Sequence, residues 1–160
     1  MNDTIIQSLK SRFPASIEAT NEFRGDLTVQ VKRSDIMQVC TFLRDDPSLS
    51  FDMIIDLCGV DMYRPEGRFE VIYNLYSLKN KKYIRVKVLV DEDDPVVDTV
   101  TGVWSGANWH ERETYDMFGI KFKGHPDLRR MYMPEEYQYF PLRKDFPTMG
   151  VPDSIPLPRK

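Results

Sequence analysis

The distribution of proline constrains this chain more than any other feature. Seven of its eleven prolines lie between Pro126 and Pro158, within the last 35 of 160 residues. Each removes a backbone donor and pushes the residue before it toward extended conformations. Such a stretch cannot supply a central strand or a long helix. The chain therefore divides into a folded unit over 1–122 and an extended C-terminal segment over 123–160.

Periodicity fills the first unit with alternating elements. Ile5, Ile6, Leu9 and Phe13 keep helical spacing from about Thr4 to Phe13, with Asp3 or Thr4 as cap and Pro14 as stop. Ser16 to Phe23 and Leu27 to Val31 predict a hairpin turning at Gly25-Asp26. Ser34 reads as the cap of a second helix that ends before Pro47. Phe51 to Cys58 is a short apolar run closed by Gly59, and predicts a buried strand. Phe69 to Leu78 and Lys82 to Val90 predict a second hairpin across Lys79-Asn80-Lys81. Asp94-Pro95 reads as a cap and first helical turn, predicting a short helix through Val103. A last helix is expected from Asn108 to Phe118, with Gly119 as its C-terminal cap. This order points to an α+β fold in two layers, helices packed on a mixed or antiparallel sheet. Phe51, Ile54, Ile55, Val71, Tyr73, Val86 and Val88 are the expected core of the central strands.

Charge and cysteine content narrow the function. The formal net charge is -3, and no basic block appears, which excludes ordinary phosphate-backbone binding. Cys40 and Cys58 form no disulfide framework and suit a reducing compartment. No apolar run reaches membrane-spanning length, and the N-terminus lacks the basic start and apolar stretch of a signal peptide. The expectation is a soluble chain that meets a membrane only through a partner. No strand, Gly-rich loop and helix occur in series, so nucleotide cradling is unsupported.

The densest cluster of ionisable residues is NWHERETYDMFGI, residues 108–120. His110 and Glu113 share a helical face. A zinc-protease helix needs a second histidine one turn after His110-Glu111, and Thr114 stands there instead. The other histidine, His125, falls beyond a glycine. Two cysteines cannot hold an ordinary iron–sulfur cluster, and no nucleophile elbow is present. A site around His110, Glu111, Glu113 and Asp116 is the enzyme reading. Pairing of this helix with Arg129, Arg130 or another chain is the structural one. Met131, Tyr132, Met133, Tyr137, Tyr139 and Phe140 lie in the proline-rich stretch. They read equally as a strip docking on a partner and as one folding back on its own sheet.

These residues also carry a resemblance. Glu111-Arg112-Glu113, Asp116-Met117-Phe118, His125, Arg129, Met131-Tyr132 and the run PLRKDFP (Pro141, Leu142, Arg143, Lys144, Asp145, Phe146, Pro147) resemble the signature of one family. DLCGVD (56–61) and FEVIYNLYSL (69–78) are similar to its central strands. The family is the C-type, or 30-kDa-type, subunit of the proton-pumping NADH:quinone oxidoreductase, respiratory complex I. One departure is Tyr139-Phe140, where family members often carry Gly-His. The resemblance implies a chain without catalytic residues, cofactor or metal of its own. It implies a place in the peripheral arm on the cytoplasmic side of the membrane. The partners implied are the hydrogenase-large-subunit-like quinone-site subunit and the iron–sulfur subunits. Glu111, Arg112, Glu113, Asp116, His125, Arg129 and 141–145 are then expected at the partner interface. The equivalent subunit of a membrane-bound hydrogenase, or of a deazaflavin- or ferredoxin-dependent complex, is the alternative.

Overall fold

A computed structural model describes residues 2–152 and 154 of the chain. Helix α1 (Asn2–Arg12) buries Ile5 and Leu9. It leads into the hairpin β1 (Ile17–Phe23) and β2 (Asp26–Val31). A 3-10 turn (Arg33–Asp35) precedes α2 (Ile36–Asp45), whose Ile36, Val39, Cys40 and Leu43 all face inward. The cap expected at Ser34 is not made. Its hydroxyl bonds the Asp35 carboxylate (3.0 Å) within that turn, and α2 starts without a side-chain cap.

Strands β3 (Met53–Asp61), β4 (Phe69–Ser77) and β5 (Lys82–Val90) follow. Together the five strands form one sheet in the order β1-β2-β5-β4-β3. All neighbours are antiparallel except β2 and β5, which pair in parallel. The architecture is therefore the expected α+β one, with three helices on a mixed sheet.

Alternation along the strands separates the two sheet faces. Leu27, Val29 and Val31 of β2, Val71, Tyr73 and Leu75 of β4, and Ile84, Val86 and Val88 of β5 are buried on one face. Between them, Tyr76 and Tyr83 stack on the opposite face with ring centroids 4.5 Å apart.

The expected strand over 51–58 needs three corrections. Phe51 lies before β3, although it is buried, and its carbonyl accepts from the Trp104 indole (3.2 Å). Gly59 does not close the strand, which runs on to Asp61. The pairing of β3 with β4 slips between Ile54 and Asp56. A bulge there re-aims the side chains, so Ile55 leaves the expected core and is 43% exposed. Ile54 is partly buried, while Val71, Tyr73, Val86 and Val88 are buried as expected.

The short helix expected from Asp94 to Val103 is absent. Val96–Asp98 is strand β6 instead, paired in parallel with β7 (Lys121–Lys123). Val96 and Val97 are β-branched and favour extended backbone, and β7 supplies donors that a local reading cannot see. The Lys121 amide donates to Pro95 O (2.7 Å), extending that pairing. Between them lies α3 (Ala107–Phe118), ended by Gly119 at φ 78, whose amide donates to Tyr115 O (2.8 Å).

Candidate functional site

Helix α3 is seated on β3 because of one glycine. A Cβ at Gly59 would sit 2.8 Å from Phe118 Cδ2 and 2.9 Å from Thr114 Cγ2, so only a bare backbone admits the helix here. Gly119 is doubly constrained. Its φ is left-handed, and a Cβ there would lie 2.7 Å from both Arg143 Nη2 and the Phe140 ring.

At the C-terminal end of α3, Asp116 is fully buried and organises the segment that follows β7. Its carboxylate accepts from Arg130 Nη1 (2.8 Å) and from the amides of Met131 (3.0 Å), Tyr132 (2.6 Å) and Met133 (3.1 Å). Burial pushes this carboxyl up, but the amides of Tyr132 and Met133, with Arg130 and the Met131 amide, outweigh it and hold it below the usual range. Arg130 is stacked over Phe140 at 4.9 Å. One turn earlier, Arg112 donates to the carbonyls of Arg129 (3.2 Å) and Arg130 (3.3 Å) and lies 5.0 Å over Trp109.

A second anchor fixes the PLRKDFP run. Asp61, at the end of β3, accepts from Arg68 Nη2 (2.9 Å), the Tyr63 amide (2.8 Å) and the Lys144 amide (2.8 Å). Burial alone would raise its pKa, but Arg68 and the Lys144 and Tyr63 amides bring it down to about 2. Arg68 pairs also with Glu92 and with Asp145 (3.0 Å). Arg143 donates to Phe118 O (2.7 Å) and lies 4.7 Å over Phe140. The Leu142 amide donates to Met117 O (3.2 Å), while the Leu142 side chain is exposed. The 125–146 stretch thus folds back on its own chain.

Glu111 and His125 lie elsewhere, at the junction of α3 with the β6–β7 pair. Both side chains are fully buried, with His125 Nε2 3.9 Å from Glu111 Oε2. The Glu111 carboxyl accepts from the Val100 amide (2.7 Å) and the Thr99 hydroxyl. His110 stands by Asp56 (3.6 Å), and Glu113 is exposed. The four residues of the enzyme reading are therefore spent separately. Among the described residues, no group of three or more His, Cys, Asp or Glu side chains could hold a metal. Arg129 pairs with Asp127 (2.8 Å) at the surface, and Pro141 is half-buried.

The residues that sequence reasoning missed are Asp61, Arg68, Thr99 and Thr101. For Asp61 and Arg68 a signal existed: a charged residue at each inner end of an apolar strand pair is suspect. Thr99 and Thr101 gave none. Trp109, Tyr132, Tyr139 and Leu142 are left exposed around the two anchors.

Three comparisons bear on this arrangement. The family model for the respiratory-chain NADH dehydrogenase 30 kDa subunit matches residues 29–152. The C-type subunit of NADH-quinone oxidoreductase from Roseiflexus sp. (strain RS-1) is 52% identical over 146 residues, covering 91% of this chain and 84% of that one. The second C-type subunit of the same oxidoreductase from Rhizobium meliloti (strain 1021) is 50% identical over 143 residues, covering 89% of this chain and 78% of that one. Among solved structures, the trypsin-resistant fragment of Nqo5 superposes with a TM-score of 0.67 at 34% identity, covering 80% of this chain and all of the fragment. A chain of the membrane-bound sulfane sulfur reductase, an archaeal respiratory membrane complex, superposes with a TM-score of 0.76 at 21% identity, covering 92% of this chain and 86% of that one. That last likeness is one of fold.

Proposed function

The chain belongs to the family of the 30 kDa, C-type subunit of NADH-quinone oxidoreductase, and from that premise we propose that it is a structural subunit of the quinone-reducing arm. It carries no active site of its own. It supports electron transfer from NADH through iron–sulfur centres to quinone, coupled to proton translocation, by holding the neighbours that perform it. Those neighbours are the quinone-site subunit and the iron–sulfur subunits, on the cytoplasmic side of the membrane. Among the described residues, no helix is long and apolar enough to cross a membrane. In this reading the chain meets the membrane through its partners.

The observation that carries this reading is how the charged residues of α3, the end of β3 and the stretch after β7 are used. Asp116, Arg112, Arg130, Arg143 and Asp61 are spent on pinning 129–145 to α3 and β3. The result is a rigid display of Trp109, Tyr132 and Leu142 on a backbone already ordered. Exposed aromatic anchors on a preorganised segment bind partners with little loss of conformational entropy. In this reading Glu111 and Asp116 serve the interface from inside. Arg112, Glu113, Arg129 and the exposed parts of 141–145 serve it at the surface, and 123–160 is the docking segment.

The test is Arg112→Ala with Tyr132→Ala and Leu142→Ala as companions. Each is expected to leave the isolated chain folded and to lower the fraction of complex assembled. Quinone reductase activity per assembled particle should stay unchanged. Normal assembly with lost turnover would give α3 a chemical role and end the scaffold reading. Removing everything from Pro141 onward is a poorer test, because it also takes the Lys144 amide from Asp61 and the Asp145 carboxylate from Arg68.

A further inference from the structure

Glu111 is the one buried carboxyl in this region that no Arg or Lys accompanies among the described residues. The basic group within 4.0 Å is the His125 ring, and that ring is held neutral. His125 Nδ1 accepts the Asp127 amide (3.0 Å), which leaves the proton on Nε2, aimed at Asn108 O (3.2 Å). Burial lowers the His125 pKa further. The other groups facing Glu111 are also fixed. Cys40 of α2 and Tyr73 of β4 are fully buried, and burial pushes both well up, so both stay protonated. The Tyr73 hydroxyl has no hydrogen-bond partner among the described residues. Asp98 of β6 acts on Tyr73 from the edge, and Arg112 and Asp127 act on His125 from outside.

Glu111 is nonetheless connected to solvent. Its Oε2 meets the Thr99 hydroxyl, and Thr99 Oγ1 lies 3.0 Å from Thr101 Oγ1. Thr99 and Thr101, with Thr41, Arg44 and Asn108, line an open groove of about 630 Å³. A hydroxyl donates and accepts, so this pair suits either state of the acid. Toward a carboxylate, Thr99 donates. Toward a carboxylic acid, Thr99 accepts and hands its own proton to Thr101.

We propose that Glu111 is a proton-binding site of this chain, loaded and unloaded through the Thr99–Thr101 hydroxyl pair from that groove. On unloading, the proton on Glu111 Oε2 moves to Thr99 Oγ1, the Thr99 proton moves to Thr101 Oγ1, and the Thr101 proton leaves to water. Loading runs the same exchange backward. The Val100 amide stays on Oε1 throughout and keeps the side chain in place. Burial, working against the Thr99 and Val100 donors, brings the acid up to about 7, so both states are accessible near neutrality. The site lies within this chain and stands whether or not the chain docks as proposed above.

The test uses the full chain with its glutamate carboxyl carbons labelled for NMR, titrated from about pH 4 to about pH 9. One glutamate should titrate roughly 2 or more pH units above the others, and its signal should vanish in Glu111→Gln. Thr99→Val should move that midpoint further up, because the carboxylate loses a donor. This second variant makes the assignment even if Glu111→Gln fails to fold. Thr101→Val should leave the midpoint in place and slow the carboxyl infrared response after a pH jump about tenfold. The site is overturned if every glutamate titrates in the ordinary range, or if Glu111 keeps one state throughout. An unchanged rate in Thr101→Val overturns the hydroxyl route.

Discussion

Asp116 and Glu111 are buried carboxyls on the same helix, and they behave in opposite ways. Both are 0% exposed. Asp116 collects an arginine and three amides, while Glu111 collects one amide and one hydroxyl. The first stays ionised and acts as a fixed hook. The second is pushed up to about 7 and changes state where the first cannot. Burial therefore does not decide what a carboxylate does. The number and charge of the donors that reach it decide.

The largest expected effect is at Asp116. Asp116→Ala leaves the buried Arg130 unpaired and three amides unsatisfied, which should cost about 3–5 kcal/mol in denaturant melts. Proteolysis around 129–133 should rise with it. A loss below about 1 kcal/mol would mean that Arg130 re-pairs and the hook is dispensable.

Next comes the pH dependence of Glu111. A folded pKa above the unfolded one means that the folded state binds more protons over the interval between them. The stabilising contribution is present below about 4.5 and is lost as pH rises through about 7. Wild type should fall behind Glu111→Gln by at most about 3 kcal/mol at mildly alkaline pH, and the gap should close toward pH 4.5. A constant difference across that range would break the contrast with Asp116.

Asp61 should show the reverse sign. Its folded pKa, about 2, lies below its ordinary 3.8, so its contribution is present above 3.8 and lost as pH falls toward 2. The loss should be about 2 kcal/mol, absent from Asp61→Asn when melts are compared across that interval. Arg112→Ala should have the smallest effect on stability, below about 1 kcal/mol, because it loses two long hydrogen bonds to half-solvated carbonyls. Its effect belongs to assembly.

Much of the fold was legible because its causes are local. Apolar spacing marked α1 and α2, runs rich in Val, Ile and Tyr marked β4 and β5, and Gly119 announced the left-handed end of α3. The signature from Glu111 to Asp145 was legible as a pattern and placed the chain in its family. What each signature residue does was not. Asp116 draws its donors from 130–133, beyond β7, and Asp61, outside that signature, takes one from Lys144, several elements further along the chain.

The sequence by itself determined α1, α2, α3 and the two hairpins, since periodicity and turn residues act within a few positions. Tertiary structure alone decided the rest. It made Val96–Asp98 a strand, because β7 returned beside it in parallel. It turned Ile55 outward through a bulge that only the pairing with β4 defines. It also separated Glu111 from Asp116, two acids in one charged run, because a buried carboxylate takes its character from donors that long-range packing brings to it.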